Sequence, residues 1–393
     1  MLPYLLDWLD LLLRWAHIIT GITWIGTSFY FIALDLSLRQ RAKMNKGVYG
    51  TAWEVHGGGF YHVEKYTVAP DDLPDDLIWH KWQAYLTWMT GFSLLVLIYY
   101  IDANLYLIDA SKWDATPLEA GAFGAGSLAV GWLIYTGICR SPIGRYPTVT
   151  AVCVFALILT AAYIYTAMFT GRGAFIHVGA FVGTIMAANV FMIIIPNQKK
   201  ITASLLAGET PDPEFGRVGK LRSTHNNYLT LPVLLMMVSG HYPFLYSHPH
   251  SWMIVGFIIV AGAMIRHFIN RHDAGDPLTK ISWTLPVGAT ALFLAAVITA
   301  PDEIDASVAV ISDAQALTLV QTHCSTCHAQ NPSHEWFEEA PAGFHLETVD
   351  DLRLYSQQIM EQAVLSDAMP LGNETDMTDA ERQSLGAWIT SLE

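Results

Sequence analysis

The sequence predicts an all-α protein in which a polytopic membrane bundle of eight helices precedes a small helical domain. Hydrophobic residues make up 52% of the 393 residues and charged residues only 14%, whereas soluble domains usually carry about a quarter charged residues. Long apolar stretches fill residues 1–300, and short amphipathic patterns fill residues 312–393. Residues 301–311 are the predicted linker between a membrane domain and a C-terminal domain.

Eight apolar stretches approach or exceed the ~20 residues that an α-helix needs to cross a bilayer. They are residues 4–34, 79–101, 119–138, 147–168, 174–195, 228–246, 252–270 and 281–299. The sixth has the weakest pattern, because Pro243 and two histidines crowd its end. A chain with these stretches is expected to be a multi-pass protein in contact with membrane lipid.

Lysine and arginine are concentrated in alternate predicted loops. The loop of residues 35–78 and the third, fifth and seventh loops are basic, whereas the even-numbered loops contain only Lys112 and Arg172. Basic loops stay on the cytoplasmic side of a membrane. The prediction therefore places both termini, and the C-terminal domain, on the outer side.

Residues 324–328 read Cys-Ser-Thr-Cys-His, which is a C-x-x-C-H motif. Two thiols at this spacing can add to the two vinyl groups of a porphyrin, and the following histidine can ligate the iron. Cys324 and Cys327 are therefore predicted to hold a haem c covalently, with His328 as an axial ligand of the iron. A zinc site would need a second pair of ligands nearby, and a thioredoxin-like dithiol would need a βαβ unit; the sequence offers neither.

The second axial ligand is predicted to be Met369, which precedes Pro370 in a segment without a helical pattern. A Met/His pair of ligands raises the reduction potential of a haem. Met360 lies inside a predicted helix and Met377 precedes a capping box, so both are expected to be core residues. Short helices with these two ligand segments are typical of a class I cytochrome c, which also is attached outside the cytoplasm.

Polar residues inside a membrane helix are costly and are therefore candidates for function. One face of the first helix, at steps of three and four residues, carries Asp7, Asp10, Arg14, His17, Gly21, Trp24 and Ser28. This face is either a polar seam between helices or the site of a haem b that His17 ligates. His177 is the predicted partner ligand for that haem b. A single histidine in a membrane helix is also often only a hydrogen-bonding core residue, and this alternative stays open.

A second group of polar residues lies at the predicted cytoplasmic side, in the first loop and at the start of the sixth helix. The candidates for binding a substrate are His56, His62, Glu64, His80, Arg222, His225, Asn226 and Asn227. Such side chains can hold a planar, hydrogen-bonding anion, but they can equally form a polar cap on the bundle. The three glycines at residues 57–59 indicate either a close approach to a ligand or a flexible turn.

Three segments resemble the bacterial membrane-bound urate hydroxylase family. They are Arg14-Trp15-Ala16-His17-Ile18-Ile19-Thr20-Gly21-Ile22-Thr23-Trp24-Ile25-Gly26, His56-Gly57-Gly58-Gly59-Phe60-Tyr61 and His225-Asn226-Asn227-Tyr228-Leu229-Thr230-Leu231-Pro232-Val233. Many members carry a C-terminal cytochrome c, so the resemblance spans essentially the whole chain. It implies a urate oxidase of the bacterial inner membrane that converts urate to 5-hydroxyisourate. Electrons would leave through the haem c to a respiratory acceptor, without stoichiometric release of peroxide.

Two other classes of function stay open. One is a respiratory haem protein that oxidises quinol; a haem–copper site is disfavoured, because it needs neighbouring histidines and the sequence has no His-His pair. The other is a non-enzymatic electron relay that the bundle merely anchors. The expected partners are urate, lipid and a respiratory acceptor such as a soluble cytochrome c or a terminal oxidase, and no nucleic acid. The sequence leaves open which face binds the substrate.

Overall fold

The computed structural model describes residues 1–70, 73–74, 76–300, 304–334 and 337–392, with the side chains of residues 2 and 3 excepted. Residues 301–303 of the predicted linker lie outside the described residues. The helices of the first 300 residues are α1 Leu2–Ser37, α2 Trp82–Leu95, α3 Ala103–Tyr106, α4 Pro117–Arg140, α5 Pro147–Met168, α6 Gly171–Ala188, α7 Ile195–Leu206, α8 Pro213–Val238, α9 Ser251–Asp273, α10 Leu278–Ile281 and α11 Thr284–Ile298. A π-helical turn, Val96–Tyr100, continues α2, and another, Asn189–Ile194, joins α6 to α7.

Among the described residues, six helical segments have the length and apolarity that crossing a membrane requires. They are Tyr4–Ser37, Pro117–Arg140, Pro147–Met168, Gly171–Leu206, Ser251–Asp273 and Leu278–Ile298. They coincide with six of the eight predicted stretches, as expected of a membrane protein. The other two stretches also form helix: α2 with its π turn is short, and α8 begins well before residue 228 with the charged residues Arg217, Lys220 and Arg222.

Two strands between α1 and α2 form an antiparallel hairpin, which the all-α prediction missed. They are β1 Val48–His56 and β2 Gly59–Tyr66, and both are rich in the β-branched and aromatic residues that favour strands. His56 pairs with Gly59, so Gly57 and Gly58 alone form the turn, with φ values of +58° and +80°. Two central residues with positive φ are the signature of a type I′ turn, which favours glycine. The turn therefore accounts for two of the three glycines.

The central helix of the bundle is α6, whose Phe175, Val178 and Ile185 are buried and which packs on α4, α5 and α8. In contrast, α1 lies at the periphery and packs mainly on α2. Its apolar side chains such as Trp15 and Ile22 are exposed, as expected of a surface that faces lipid. The two ends of the bundle differ. The β1–β2 hairpin lies at one end, here called the hairpin end, and the C-terminal residues lie at the other.

Residues 304–392 have an apolar cluster of their own, which includes Val320, Leu352, Leu385 and Trp388. The helices are α12 Asp313–His323, α13 Val349–Leu354, α14 Ser356–Ile359 and α15 Asp379–Thr390. Capping boxes begin α12 and α15. The hydroxyls of Ser312 and Thr378 each accept a hydrogen bond from the backbone N–H of the third helical residue, whose side chain accepts one from the backbone N–H of the capping residue. The indole of Trp388 donates a hydrogen bond to Asp313, joining the last helix to the first of this segment.

Candidate functional site

Four of the predicted substrate residues lie on α8, at the hairpin end of the bundle. Arg222 and Asn227 are each only 1% exposed, Asn226 is buried as well and His225 is half-buried. Burying amides and a guanidinium without hydrogen bonds costs free energy, so their partners reveal what the cluster can do. We call this group and its partners the α8 cluster.

The amide of Asn226 starts a chain of hydrogen bonds that fixes the orientation of each group. Its Nδ2 donates to the carbonyl oxygen of Met186 at 2.9 Å, so its Oδ1 accepts from Nδ2 of Asn189 at 2.9 Å. The same Nδ2 of Asn189 donates to the hydroxyl oxygen of Tyr135 at 3.0 Å. The Tyr135 hydroxyl lies 2.8 Å from Nδ1 of His225. Since that hydroxyl oxygen already accepts from Asn189, we assign its proton to the bond with His225.

Arg222 lies against two aromatic rings of α4. Its guanidinium carbon is 4.7 Å from the centre of the Tyr135 ring and 5.8 Å from that of Trp132, distances at which cation–π attraction operates. Within the described part of the chain, Nε and Nη1 of Arg222 have no hydrogen-bond partner and the side chain has no carboxylate partner. A buried cation with unused donors is the kind of group that binds an anion.

A second arm of the α8 cluster lies between α8 and α9. Nδ2 of Asn270 donates to Oδ1 of Asn227 at 2.6 Å. Arg266 is also buried, with its guanidinium carbon 3.8 Å from the centre of the Phe29 ring. Among the described residues, Nε and Nη2 of Arg266 lack hydrogen-bond partners, like the donors of Arg222.

The unpaired atoms of the α8 cluster define the chemistry of a fitting ligand. Donors without a partner in the described residues include Nε and Nη1 of Arg222 and Nδ2 of Asn227, and the unpaired acceptors include Oδ1 of Asn189 and Oδ1 of Asn270. With Nδ1 accepting from a tyrosine, neutral His225 carries its proton on Nε2 and is a further donor. A ligand that matches this set is negatively charged, has several carbonyl oxygens and also presents N–H groups.

The predicted residues of the first loop lie on the hairpin or next to it, and no described contact joins them to the α8 cluster. His56 and His62 are exposed, and Glu64 is held within the hairpin. Hydrogen bonds from Tyr66 and then Asn45 lower the pKa of Glu64, which stays ionised. The described partners are the Trp53 ring for His62, Tyr66 and Asn45 for Glu64, and the Phe31 ring for His80.

His17, the first predicted haem b ligand, faces α2. Its Nδ1 lies 3.0 Å from the carbonyl oxygen of Thr87 and 3.1 Å from the hydroxyl of Thr90. A Cβ at Gly91 would come within 2.7 Å of the ring, so this glycine lets the ring lie against α2. The described contacts engage Nδ1 and leave Nε2 for a further partner, which suits a ligand of a metal.

His177, the second predicted haem b ligand, is fully buried inside the bundle. Its Nδ1 lies 2.8 Å from the carbonyl oxygen of Gly173 and its Nε2 lies 3.2 Å from the hydroxyl of Tyr100. The ring of Phe169 is 4.8 Å away, centre to centre. With both nitrogens engaged and aromatic rings around it, His177 does not fit an axial haem ligand in this packing. It also shares no described contact with His17.

The predicted haem c residues follow α12 in one tight turn. The N–H of His328 donates to the carbonyl of Cys324 at 2.8 Å, and the thiols of Cys324 and Cys327 are both free. Burial raises the pKa of Cys324 to about 12, raises that of Cys327 and lowers that of His328, so all three side chains are neutral near pH 7. Nδ1 of His328 lies 3.1 Å from the carbonyl of Phe344, which leaves Nε2 for an iron atom. These residues fit a haem c.

Met369 lies on the segment before α15, and its N–H donates to the carbonyl of Gln362 at 2.8 Å. Met377 is buried in the apolar cluster of this segment and Met360 packs against that cluster, as expected of core residues. Met369 and Met377 both lie on non-helical backbone and line the same cavity, but Met377 is only 3% exposed and belongs to the apolar cluster.

That cavity has a volume of about 630 Å³ and separates the C-terminal residues from the far end of the bundle. Met369 and Asp367 line it on one side, and Arg172, Tyr106 and Tyr246 line it on the other. The Arg172 guanidinium lies 5.2 Å from the centre of the Tyr106 ring. We call this cavity the outer cavity.

Sequence reasoning missed the residues of α4, α9 and the π turn that complete the α8 cluster. They are Trp132, Tyr135, Asn189, Arg266 and Asn270. A signal existed for Asn189, because it is a lone amide inside the apolar stretch of residues 174–195. No comparable signal existed for Tyr135, since tyrosine is common in apolar stretches and only the fold brings it to His225.

A family model described as urate oxidase N-terminal matches residues 3–300, which contain the α8 cluster and His17. No curated protein and no solved structure matches the chain.

Proposed function

Since the chain belongs to the urate oxidase N-terminal family, we propose that it is a membrane-bound urate hydroxylase that binds urate in the α8 cluster. The product would be 5-hydroxyisourate. One observation carries the choice of site: the guanidinium of Arg222 is buried with unused donors, beside amides that lack partners for other atoms.

The chemistry of urate matches these atoms. Urate is a planar anion with three carbonyl oxygens and ring N–H groups, and its faces are apolar. Arg222 would bind the charge and an oxygen, with the Tyr135 and Trp132 rings beside it. Oδ1 of Asn189 would accept a hydrogen bond from a ring N–H of urate, and Nδ2 of Asn227 would donate one to a carbonyl oxygen.

The reaction adds water to the urate anion and gives neutral 5-hydroxyisourate, two electrons and one proton. No nucleophilic side chain is needed, but an electron acceptor is. His225 would donate from Nε2 to the bound anion, with its orientation held by Tyr135. A haem c on Cys324, Cys327, His328 and Met369 would supply one-electron transfer, so that electrons leave without stoichiometric peroxide.

The proposal includes the placement of the chain in the cell. Eight helices would cross the bacterial inner membrane, with both termini and the cytochrome c domain on the periplasmic side, as the basic loops indicate. Electrons from the α8 cluster would then have to cross most of the membrane. A haem b ligated by His17 is our proposed relay, and its second ligand would be a residue other than His177 in the observed packing.

The outer cavity is the rival substrate site. It is large enough for a purine-sized molecule, it contains Arg172, and it adjoins Met369. A substrate bound there would need no relay. Its charged residues are mixed in sign, however, because Lys112 pairs with Asp109 at 3.0 Å and both line the cavity. This balance favours the α8 cluster for an anion.

Arginine variants distinguish the two sites. We expect Arg222→Gln to raise the KM for urate at least tenfold, about 1.4 kcal/mol, and Arg172→Gln to leave it near the wild-type value. Arg217→Gln is the matched control on α8, since Arg217 is exposed and pairs with Glu214 at 2.7 Å. The measurement is reduction of the haem bands when urate is added anaerobically.

The same assay tests the proposed activity. The opposite pattern of the two variants would move the substrate to the outer cavity. Haem that is reduced by a quinol and not by urate would instead favour the respiratory haem protein. Haem that neither compound reduces would favour a relay without its own substrate.

A further inference from the structure

One guanidinium fastens the segment that contains Met369 to the last helix. Arg382 lies on α15 and is 8% exposed. Its Nη1 donates to the carbonyl of Ala363 at 2.6 Å and to that of Met369 at 2.7 Å, and its Nη2 donates to Oδ1 of Asn373 at 3.2 Å. The carbonyl of Ser366, 3.5 Å from Nη1, is a fourth acceptor. The four acceptors come before, at and after the methionine, so the guanidinium lies inside the loop.

The acceptors of Arg382 are all neutral, which sets it apart from the other arginine of this segment. Arg353 is about half exposed and pairs with Asp313 at 2.7 Å, an exposed ion pair of the kind that contributes little to stability. A buried guanidinium on backbone carbonyls makes charge-assisted bonds in fixed directions. The planar set of N–H donors of Arg382 therefore fixes the position of the backbone at Met369.

A thioether is a neutral, weak ligand, so its bond to iron depends on being held in place. If the loop moved outward by a small distance, water or another ligand would take the axial position. We propose that Arg382 is the positioning residue for Met369, keeping its sulfur on the haem iron and keeping the potential of the haem high. This inference rests on the haem c of the proposed function, with His328 and Met369 as its ligands.

A purely structural role for Arg382 predicts a different result. In that case, replacing it would lower the stability of the segment, but the folded fraction would keep the wild-type iron ligands and potential. A positioning role changes three properties of the folded protein. They are the near-infrared band of methionine bound to ferric haem, the midpoint potential, and the affinity of the haem for added imidazole.

The experiment uses the full-length chain with its covalent haem and compares Arg382→Gln with Arg353→Gln. We expect Arg382→Gln to retain covalent haem, to lose most of the methionine band, to bind imidazole at least tenfold more tightly and to show a lower potential. Its potential should approach that of Met369→Ala, because a thioether favours ferrous iron. Arg353→Gln should match the wild type in all three readouts.

Three outcomes would overturn the proposal. The first is a wild-type band, potential and imidazole affinity in Arg382→Gln. The second applies if Arg382→Gln does not accumulate haem. It is the same wild-type behaviour in Arg382→Lys, which keeps the positive charge but lacks the planar set of guanidinium donors. The third is a Met369→Ala protein with the spectrum of the wild type, because Met369 would then not be the ligand. Urate takes no part in these measurements, so they are independent of the substrate.

Discussion

At the scale of single residues, the order of the hydrogen bonds in the α8 cluster decides which atoms face a substrate. Nδ2 of Asn226 donates to the carbonyl of Met186, and Oδ1 of Asn226 accepts from Nδ2 of Asn189. Oδ1 of Asn189 then has no hydrogen-bond partner among the described residues. The Tyr135 hydroxyl is left to donate to His225. One tyrosine therefore links the amides to the histidine.

Tyr135→Phe tests this link. The ring and its volume are retained, so the bundle should fold, but His225 loses the donor at Nδ1 and Asn189 loses an acceptor. We expect kcat/KM for urate to fall roughly tenfold to a hundredfold, about 1.4 to 2.7 kcal/mol, in keeping with the loss of a positioned hydrogen bond. Steady-state kinetics with urate is the measurement.

The matched control is Tyr163→Phe on α5, whose side chain is exposed at the surface of the bundle. It should retain wild-type kinetics. Unchanged kcat/KM in Tyr135→Phe would show that His225 does not act on the substrate through this bond.

The residues differ in how far the sequence predicts them. The motif of residues 324–328 is a local pattern, so its two thiols and its histidine are predicted as haem c residues without knowledge of the fold. The candidates on α8 are predicted because they form a group of polar residues at the start of the predicted sixth helix. Tyr135 and Asn270 were not found, because their roles depend on neighbours far away in sequence.

At the scale of elements, helix length and apolarity are predicted well, whereas elements at the ends of the bundle are not. Six stretches have the expected character, because their signal is a sum over about 20 residues. The sequence predicts too late a start for α8, since the charged first half of this helix has no apolar signal. The sequence predicts a loop where the hairpin forms, because the histidines and glycines of the hairpin give no regular apolar pattern.

The hairpin supplies an element-scale prediction. Gly58→Ala puts a Cβ at a residue with φ of +80°, which costs about 1 kcal/mol. Faster cleavage of residues 48–66 by a protease is expected. Urate kinetics should stay close to wild type, because no described contact joins the hairpin to the α8 cluster.

Gly59→Ala is the control for that variant, since Gly59 lies in β2 and does not have a positive φ. Its cleavage rate should change less than that of Gly58→Ala. A large loss of urate turnover in Gly58→Ala would return His56 and His62 to the substrate site.

At the scale of the whole molecule, the proposed substrate site and the proposed haem c lie at opposite ends of the bundle. A substrate taken from the hairpin end would be oxidised there, and its electrons would be delivered on the other side. In this arrangement the C-terminal segment would hold the haem c and would also bind the electron acceptor.

The charge of the C-terminal segment predicts the kind of acceptor. Residues 302–393 contain Arg353 and Arg382 as their only Lys or Arg, and Arg382 is buried under the Met369 loop. The surface there is therefore acidic, which favours a basic partner such as a basic soluble cytochrome c. We expect its reduction rate in the presence of urate to fall as salt rises from about 0.01 to 0.1 M, where the Debye length shrinks from about 30 to 10 Å. A small uncharged acceptor serves as the control, and its rate should not depend on salt. A salt-independent rate with the basic cytochrome, or a rate that rises, would show that docking uses another surface.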